Sequence, residues 1–274
     1  MSCGSANAER EGTRVLTWET MAVAPAGCTW WDAEGEWVEP PNVRRNGFSG
    51  VHRVTDARTG TAYYVKRQTN HLYRSLRYPT GRPTLLREWL NLRRCAALGI
   101  PVAAPVFFDM RRGQEGWEAV LVTRALENYA SLEHQLRHAG WTAAQRRTVL
   151  LALAAMLAPL HMAGRKHGHL YPKEIFVRTA PSVDVVLLDW EVSRYAGSVR
   201  WAAQSDLGRL WRSLIDMGVP ESERAEFLRY YQGLTGLANL RLRGVPALRE
   251  PGAAGASVPT QASTEGRGTP RASS

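Results

Sequence analysis

Cysteine is scarce in this sequence. Its 274 residues contain three, Cys3, Cys28 and Cys95, and no CxxC pair. An odd number without paired spacing argues against a disulfide framework and against a structural zinc site, so free thiols in a reducing compartment are expected. Long hydrophobic runs are also lacking. The longest, VLLALAAMLAPL at 149–160, is well short of the roughly 18 apolar residues that a membrane span requires, and reads as a buried helix. Residues 1–20 hold no continuous apolar stretch of the kind a secretory signal needs, so a cytoplasmic protein is expected. Acidic residues are the minority: 25 Asp and Glu face 35 Lys and Arg, for a formal charge of +10 and a pI near 10.0. That balance favours anionic partners such as nucleic acid, a phosphorylated substrate or an acidic membrane face. No RNP, KH or helix-turn-helix pattern accompanies it, and no specific nucleic acid is predicted.

What is present is a change of character along the chain. The first dozen residues are small and polar. Short strands are expected at 14–18 and 29–38, the second as a tryptophan-flanked hairpin turning at 32–35. A glycine-containing turn and an alternating strand follow within 42–56, and another strand at 61–67. Leu85, Leu86, Trp89, Leu92 and Ala96 recur at helical spacing over 84–98, where Gly99 and Pro101 stop the helix. Strands are expected at 102–108 and 117–123. Beyond Ala125 helices dominate. Thr142 and Gln145 form a capping box for a helix to about Met162, with Pro159 expected to kink its end. Short strands at 175–178 and 183–188 precede helices at 203–217 and 221–234. From about Ala247 the chain is rich in Gly, Ala, Pro, Ser and Thr, a composition that predicts disorder. Strands with one helix, then mostly helices, make a mixed α+β arrangement in two segregated halves.

Several residues fit the parts list of phosphoryl transfer: a backbone loop over the phosphates, a lysine, a carboxylate that orients it, and oxygen ligands for Mg²⁺. Gly47-Phe-Ser-Gly50 lies between candidate strands, where glycine lets amides approach phosphate, although taken alone an ordinary β-turn is the simpler explanation; Asn46 before it tolerates left-handed backbone. Lys66 is the cation of an otherwise apolar strand, either an edge charge or a phosphate grip. Glu88, on the amphipathic helix, is the only acidic residue between Lys66 and Arg94. The stretch from His167 to Phe176, HGHLYPKEIF, has the cadence of a kinase catalytic loop. Asp189 follows the apolar strand VDVVLL, a position suited to Mg²⁺. Asp206 is expected at a helix start, either as an N-terminal carboxylate or as a brace beneath the loop.

Residues 64–77 (YVKRQTNHLYRSLR), PTLLREWLNL, Leu98-Gly-Ile-Pro101 and His167-Gly-His-Leu-Tyr-Pro-Lys173 together resemble the lipopolysaccharide kinase family, in its InaA-type branch, over roughly residues 42–215. The resemblance implies a two-lobed protein-kinase-like fold with a flexible leader (1–13), a nucleotide-binding N-lobe (14–124), a C-lobe with catalytic loop and metal site (125–246) and a disordered tail (247–274). It implies ATP-dependent phosphorylation of a heptose or Kdo sugar of the lipopolysaccharide core at the cytoplasmic side of the inner membrane. Gly47 and Gly50 would cover phosphates, Lys66 would bind them and pair with Glu88, and Asp189 with Glu174 would hold Mg²⁺. His169 stands where active kinases place the aspartate that receives the acceptor proton, and Glu174 where they place asparagine. An inactive, nucleotide-binding scaffold of the stress response is therefore the alternative that the same resemblance implies.

Residues 66–94 set Lys66, Arg67, Arg74, Arg77, Arg82, Arg87, Arg93 and Arg94 against Glu88 alone. Leu72, Tyr73, Leu76 and Tyr78 are interleaved with the arginines at its tip. This mixture suits docking on an anionic headgroup layer, and equally a solvated face with a few core anchors.

Overall fold

The computed structural model describes residues 29–44 and 47–242. The leader, the strand expected at 14–18, Cys3, Cys28, Asn46 and the tail lie outside them. The described chain is a mixed α/β structure with an antiparallel sheet and five helices.

Strands β1 (Glu36–Arg44), β2 (Gly47–Thr55) and β3 (Ala62–Thr69) begin the sheet. Two-residue strands β4 (Leu72–Tyr73) and β5 (Arg82–Pro83) pair with each other and lead into helix α1 (Thr84–Ala97). The hairpin β6 (Pro105–Gly113) and β7 (Gly116–Arg124) completes the sheet in the order β1-β2-β3-β7-β6. β7 lies between β3 and β6 and is buried on both faces. Val120 and Val122 point to a small cluster with Trp30, Val54, Val65 and Val106. Ala119 and Leu121 point the other way, into the main core with Leu85, Leu92 and Cys95 of α1. This is why the segment reads as a continuous apolar run and not as an alternating one.

Beyond the sheet come β8 (Ala130–Ser131), α2 (Leu132–His138), α3 (Ala143–Met162) and β9 (Arg165–Lys166). A 3₁₀ turn (Pro172–Glu174) precedes β10 (Ile175–Arg178) and β11 (Asp184–Leu187), which pair antiparallel. A second 3₁₀ turn (Trp190–Val192), β12 (Arg194–Tyr195), α4 (Val199–Asp216) and α5 (Glu221–Thr235) close the chain. The Thr142–Gln145 capping box is formed as expected. From Val149 to His161 most of α3 is buried in the main core, which is why that stretch reads as a continuous apolar run.

Several expectations are corrected. There is no hairpin at 29–38: residues 30–32 form a turn and β1 starts at Glu36. Trp30 is buried instead, edge-on to Tyr63 at 5.2 Å. β1 extends through Pro40 and Pro41, which lack amide hydrogens, and its pairing with β2 is irregular there; an edge strand tolerates this. Gly47 and Gly50 lie within β2, not in a turn. α4 starts earlier than 203 because Ser198 caps it by accepting from Trp201 N–H, so Asp206 lies inside the helix and not at its start. α2, capped by Ser131, was not expected.

Candidate functional site

The sheet and α1 bring the first pair together. Val65, before Lys66, is fully buried, so alternation turns the lysine to the face that α1 covers. There its Nζ donates to Glu88 Oε2 at 2.9 Å. Burial works against the lysine's charge, but Glu88, Glu191 and Asp189 outweigh it, and Lys66 titrates above the usual lysine range. Glu88 is buried, and burial raises its carboxyl pKa against the pull of Lys66. One cation thus serves three nearby carboxylates.

The second group comes from the segments around β10 and β11. The backbone of His167 and Gly168 is held by Asp206, which is fully buried and accepts from His167 N–H at 2.6 Å and Gly168 N–H at 2.9 Å. Asp206 also accepts from His161 Nε2 at 3.3 Å, while Tyr231 donates to His161 Nδ1 at 2.8 Å. Burial alone would raise the Asp206 pKa; the hydrogen bonds outweigh it and hold the carboxyl below its usual range. Of the two roles considered for Asp206, the structure shows the brace. Arg209 adds a bond to Gly168 O. His167 donates through Nε2 to Leu188 O at 2.9 Å, and its burial depresses its pKa, keeping the imidazole neutral.

The loop so fixed presents His169. Its Nδ1 is 2.8 Å from Asp189 Oδ2. Asp189 has φ 60° and ψ 60°, left-handed backbone that is uncommon outside glycine and concentrates at functional sites. Glu174 sits at the end of the 3₁₀ turn, where burial first and Asp189 second push its carboxyl above the usual range. One ligating atom from each of His169, Glu174 and Asp189 falls within 4.8 Å of the others. A half-buried set of two carboxylates and an imidazole has the donor chemistry for a divalent cation, so these residues fit the metal that a phosphotransferase needs.

Gly47 and Gly50 lie on β2, with Gly50 opposite Arg67 in the register. At Gly50 a Cβ would collide with the Trp37 ring, so the packing of the tryptophan on β1 by itself explains this glycine.

The expectations overlooked Asn91 and Glu191. Asn91, on α1, donates to Trp190 O at 2.9 Å and Ser193 O at 2.8 Å, and accepts from Arg165 at 2.7 Å. It ties the helix that carries Glu88 to the turn that follows Asp189. Its signal was a polar residue in an apolar helical stripe.

Compared with known proteins, residues 28–231 match the model of the Lipopolysaccharide kinase (Kdo/WaaP) family. The chain belongs to this family. It is also 35% identical over 208 residues to Protein InaA of Escherichia coli (strain K12), a match that covers 75% of this chain and 94% of InaA. The family points to a lipopolysaccharide-kinase-like function, and as a kinase family it implies ATP and a divalent metal. The matched region spans Lys66, Glu88, His169, Glu174, Asp189 and Asp206.

Proposed function

We propose that this family member is an ATP-dependent phosphotransferase acting on a heptose or Kdo sugar of the lipopolysaccharide core at the cytoplasmic side of the inner membrane. The observation that carries this reading is the 2.9 Å Lys66–Glu88 ion pair, with Asp189 close enough to act on the lysine's charge. In this reading residues 14–124 form a nucleotide-binding lobe, 125–246 a lobe with the catalytic loop and metal site, and the two together a protein-kinase-like fold. Lys66 grips nucleotide phosphates and Glu88 fixes its direction. Gly47 and Gly50 belong to the strand that borders the phosphates. Asp189 and Glu174 hold Mg²⁺, which when bound supplies positive charge against the phosphate oxygens. His169 lies near the acceptor hydroxyl. With γ-labelled ATP and core oligosaccharide, the wild type is expected to transfer label and Asp189→Ala to lose about a hundredfold or more. Transfer that survives Asp189→Ala in a folded protein overturns the assignment.

A second reading is favoured by one observation: His169 Nδ1 is already engaged with Asp189 at 2.8 Å. In it the chain binds ATP as a scaffold and transfers nothing. ATP binding without label transfer in the same assay would select it.

A further inference from the structure

We propose that His169 is a metal ligand, completing with Glu174 and Asp189 a mixed nitrogen–oxygen site for a divalent transition ion such as Mn²⁺, and that this site loads without nucleotide. One nitrogen and two carboxylate oxygens lie within 4.8 Å of one another. Ligands at about 2.0–2.2 Å from a metal place neighbouring donor atoms about 3 Å apart. His169 Nδ1 and Asp189 Oδ2 already stand at 2.8 Å. Nδ1 donates to Asp189 when it carries the imidazole hydrogen; in the other tautomer, with hydrogen on Nε2, the same nitrogen turns a lone pair toward the two carboxylates.

The three donors also come from anchored backbone. His169 follows the two amides held by Asp206. Glu174 and Asp189 flank the paired strands β10 and β11, with Ile175 opposite Leu187 and Leu188 N–H donating to Glu174 O at 2.9 Å. The nearby cation Lys66 is directed to Glu88. Lys173, an exposed cation, lies 3.2 Å from Glu174. Mg²⁺ favours oxygen donors and gives up water reluctantly, whereas an imidazole nitrogen favours transition ions. Histidine at this position therefore shifts the preference away from Mg²⁺. The inference rests on the phosphotransferase reading only for the role of the site, and sugar phosphorylation is not among its readouts.

The test is a MnCl₂ titration of the full chain without nucleotide, followed by electron paramagnetic resonance. One bound Mn²⁺ is expected, with the pulsed-resonance signature of a directly bound imidazole nitrogen and weaker competition by Mg²⁺. His169→Gln is expected to lose that signature and at least about tenfold in affinity. His169→Asp restores a carboxylate and is expected to bind Mn²⁺ without the nitrogen signal and with a smaller preference over Mg²⁺. Wild-type Mn²⁺ affinity in His169→Gln, Mn²⁺ bound without nitrogen coupling, or no Mn²⁺ binding by the wild type would each overturn the inference. Absent sugar phosphorylation alongside a nitrogen-coupled Mn²⁺ would remove the phosphotransferase reading and leave this one standing.

Discussion

At the residue scale the most consequential groups are those whose ionisation folding alters. His167 is buried and neutral, with its pKa depressed below the ordinary value of 6.5. The unfolded chain therefore binds its proton first as pH falls, and stability declines below about pH 6.5, down through the folded pKa. Asp206 has the opposite charge type and a lowered pKa. Its contribution is present above the ordinary carboxylate value and is lost as pH falls from there through the folded pKa. Denaturant midpoints from pH 7 to 3 should thus fall in two stages. His167→Gln, which keeps an amide donor for Leu188 O, should flatten the upper stage and leave the lower one; an unchanged upper stage would contradict this. Gly50 offers a second residue-scale check. Gly50→Ala forces the Trp37 ring aside and is expected to cost roughly 1–3 kcal/mol. In a Trp37→Ala background the same change should cost little, which a double-mutant cycle of unfolding free energies measures.

At the element scale, the position of α1 decides whether Lys66 and Glu88 meet. Asn91 anchors that helix to the backbone after Asp189. Asn91→Ala leaves two buried carbonyls and an Arg165 donor without their partner, and is expected to cost at least about 2 kcal/mol. Chemical unfolding gives the cost, and faster amide exchange along α1 would show that the helix has loosened. Unchanged exchange would contradict the anchoring role. The elements with strong local signals were legible in the sequence: α1 from its leucine spacing, α3 from its capping box, and β10 from an apolar run after a proline turn. The start of the sheet was less so. The tryptophan-flanked turn at 32–35 suggests a hairpin, but Trp30 is buried against Tyr63 in a small core cluster, a tertiary contact that local spacing does not reveal. α4 begins four residues before the apolar spacing that predicts it, because its cap, Ser198, precedes an exposed turn with little apolar spacing. The pairing of Lys66 with Glu88 and the approach of His169 to Asp189 follow the order of motifs in the sequence. The Asn91 network could not be read there, because its partners lie on turns brought close only by tertiary packing.

At the scale of the whole molecule, the segment between β4 and β5 combines basic charge with an exposed apolar side chain. No helix among the described residues is long and apolar enough to cross a membrane. The excursion between β4 and β5 leaves Leu76 fully exposed beside Arg74 and Arg77, while Tyr78 lies under Arg77 and Arg82 at 5.5 and 5.2 Å. If this tip meets an anionic membrane, each arginine contributes about 1 kcal/mol, so replacing Arg74 and Arg77 with serine should weaken binding to anionic vesicles by about thirtyfold at low salt. Unchanged sedimentation with such vesicles would assign the tip to solvent. The central claim, that Lys66, Glu88 and Asp189 form the centre that holds nucleotide phosphates, is tested most directly by thermal unfolding with ATP and a divalent metal, comparing wild type with Lys66→Ala. At about 100 times Kd a bound ligand stabilises the folded state by about 2.7 kcal/mol. A rise of several degrees in the wild type that is absent from Lys66→Ala is the predicted result; a flat response in both, or the same rise in both, would contradict it.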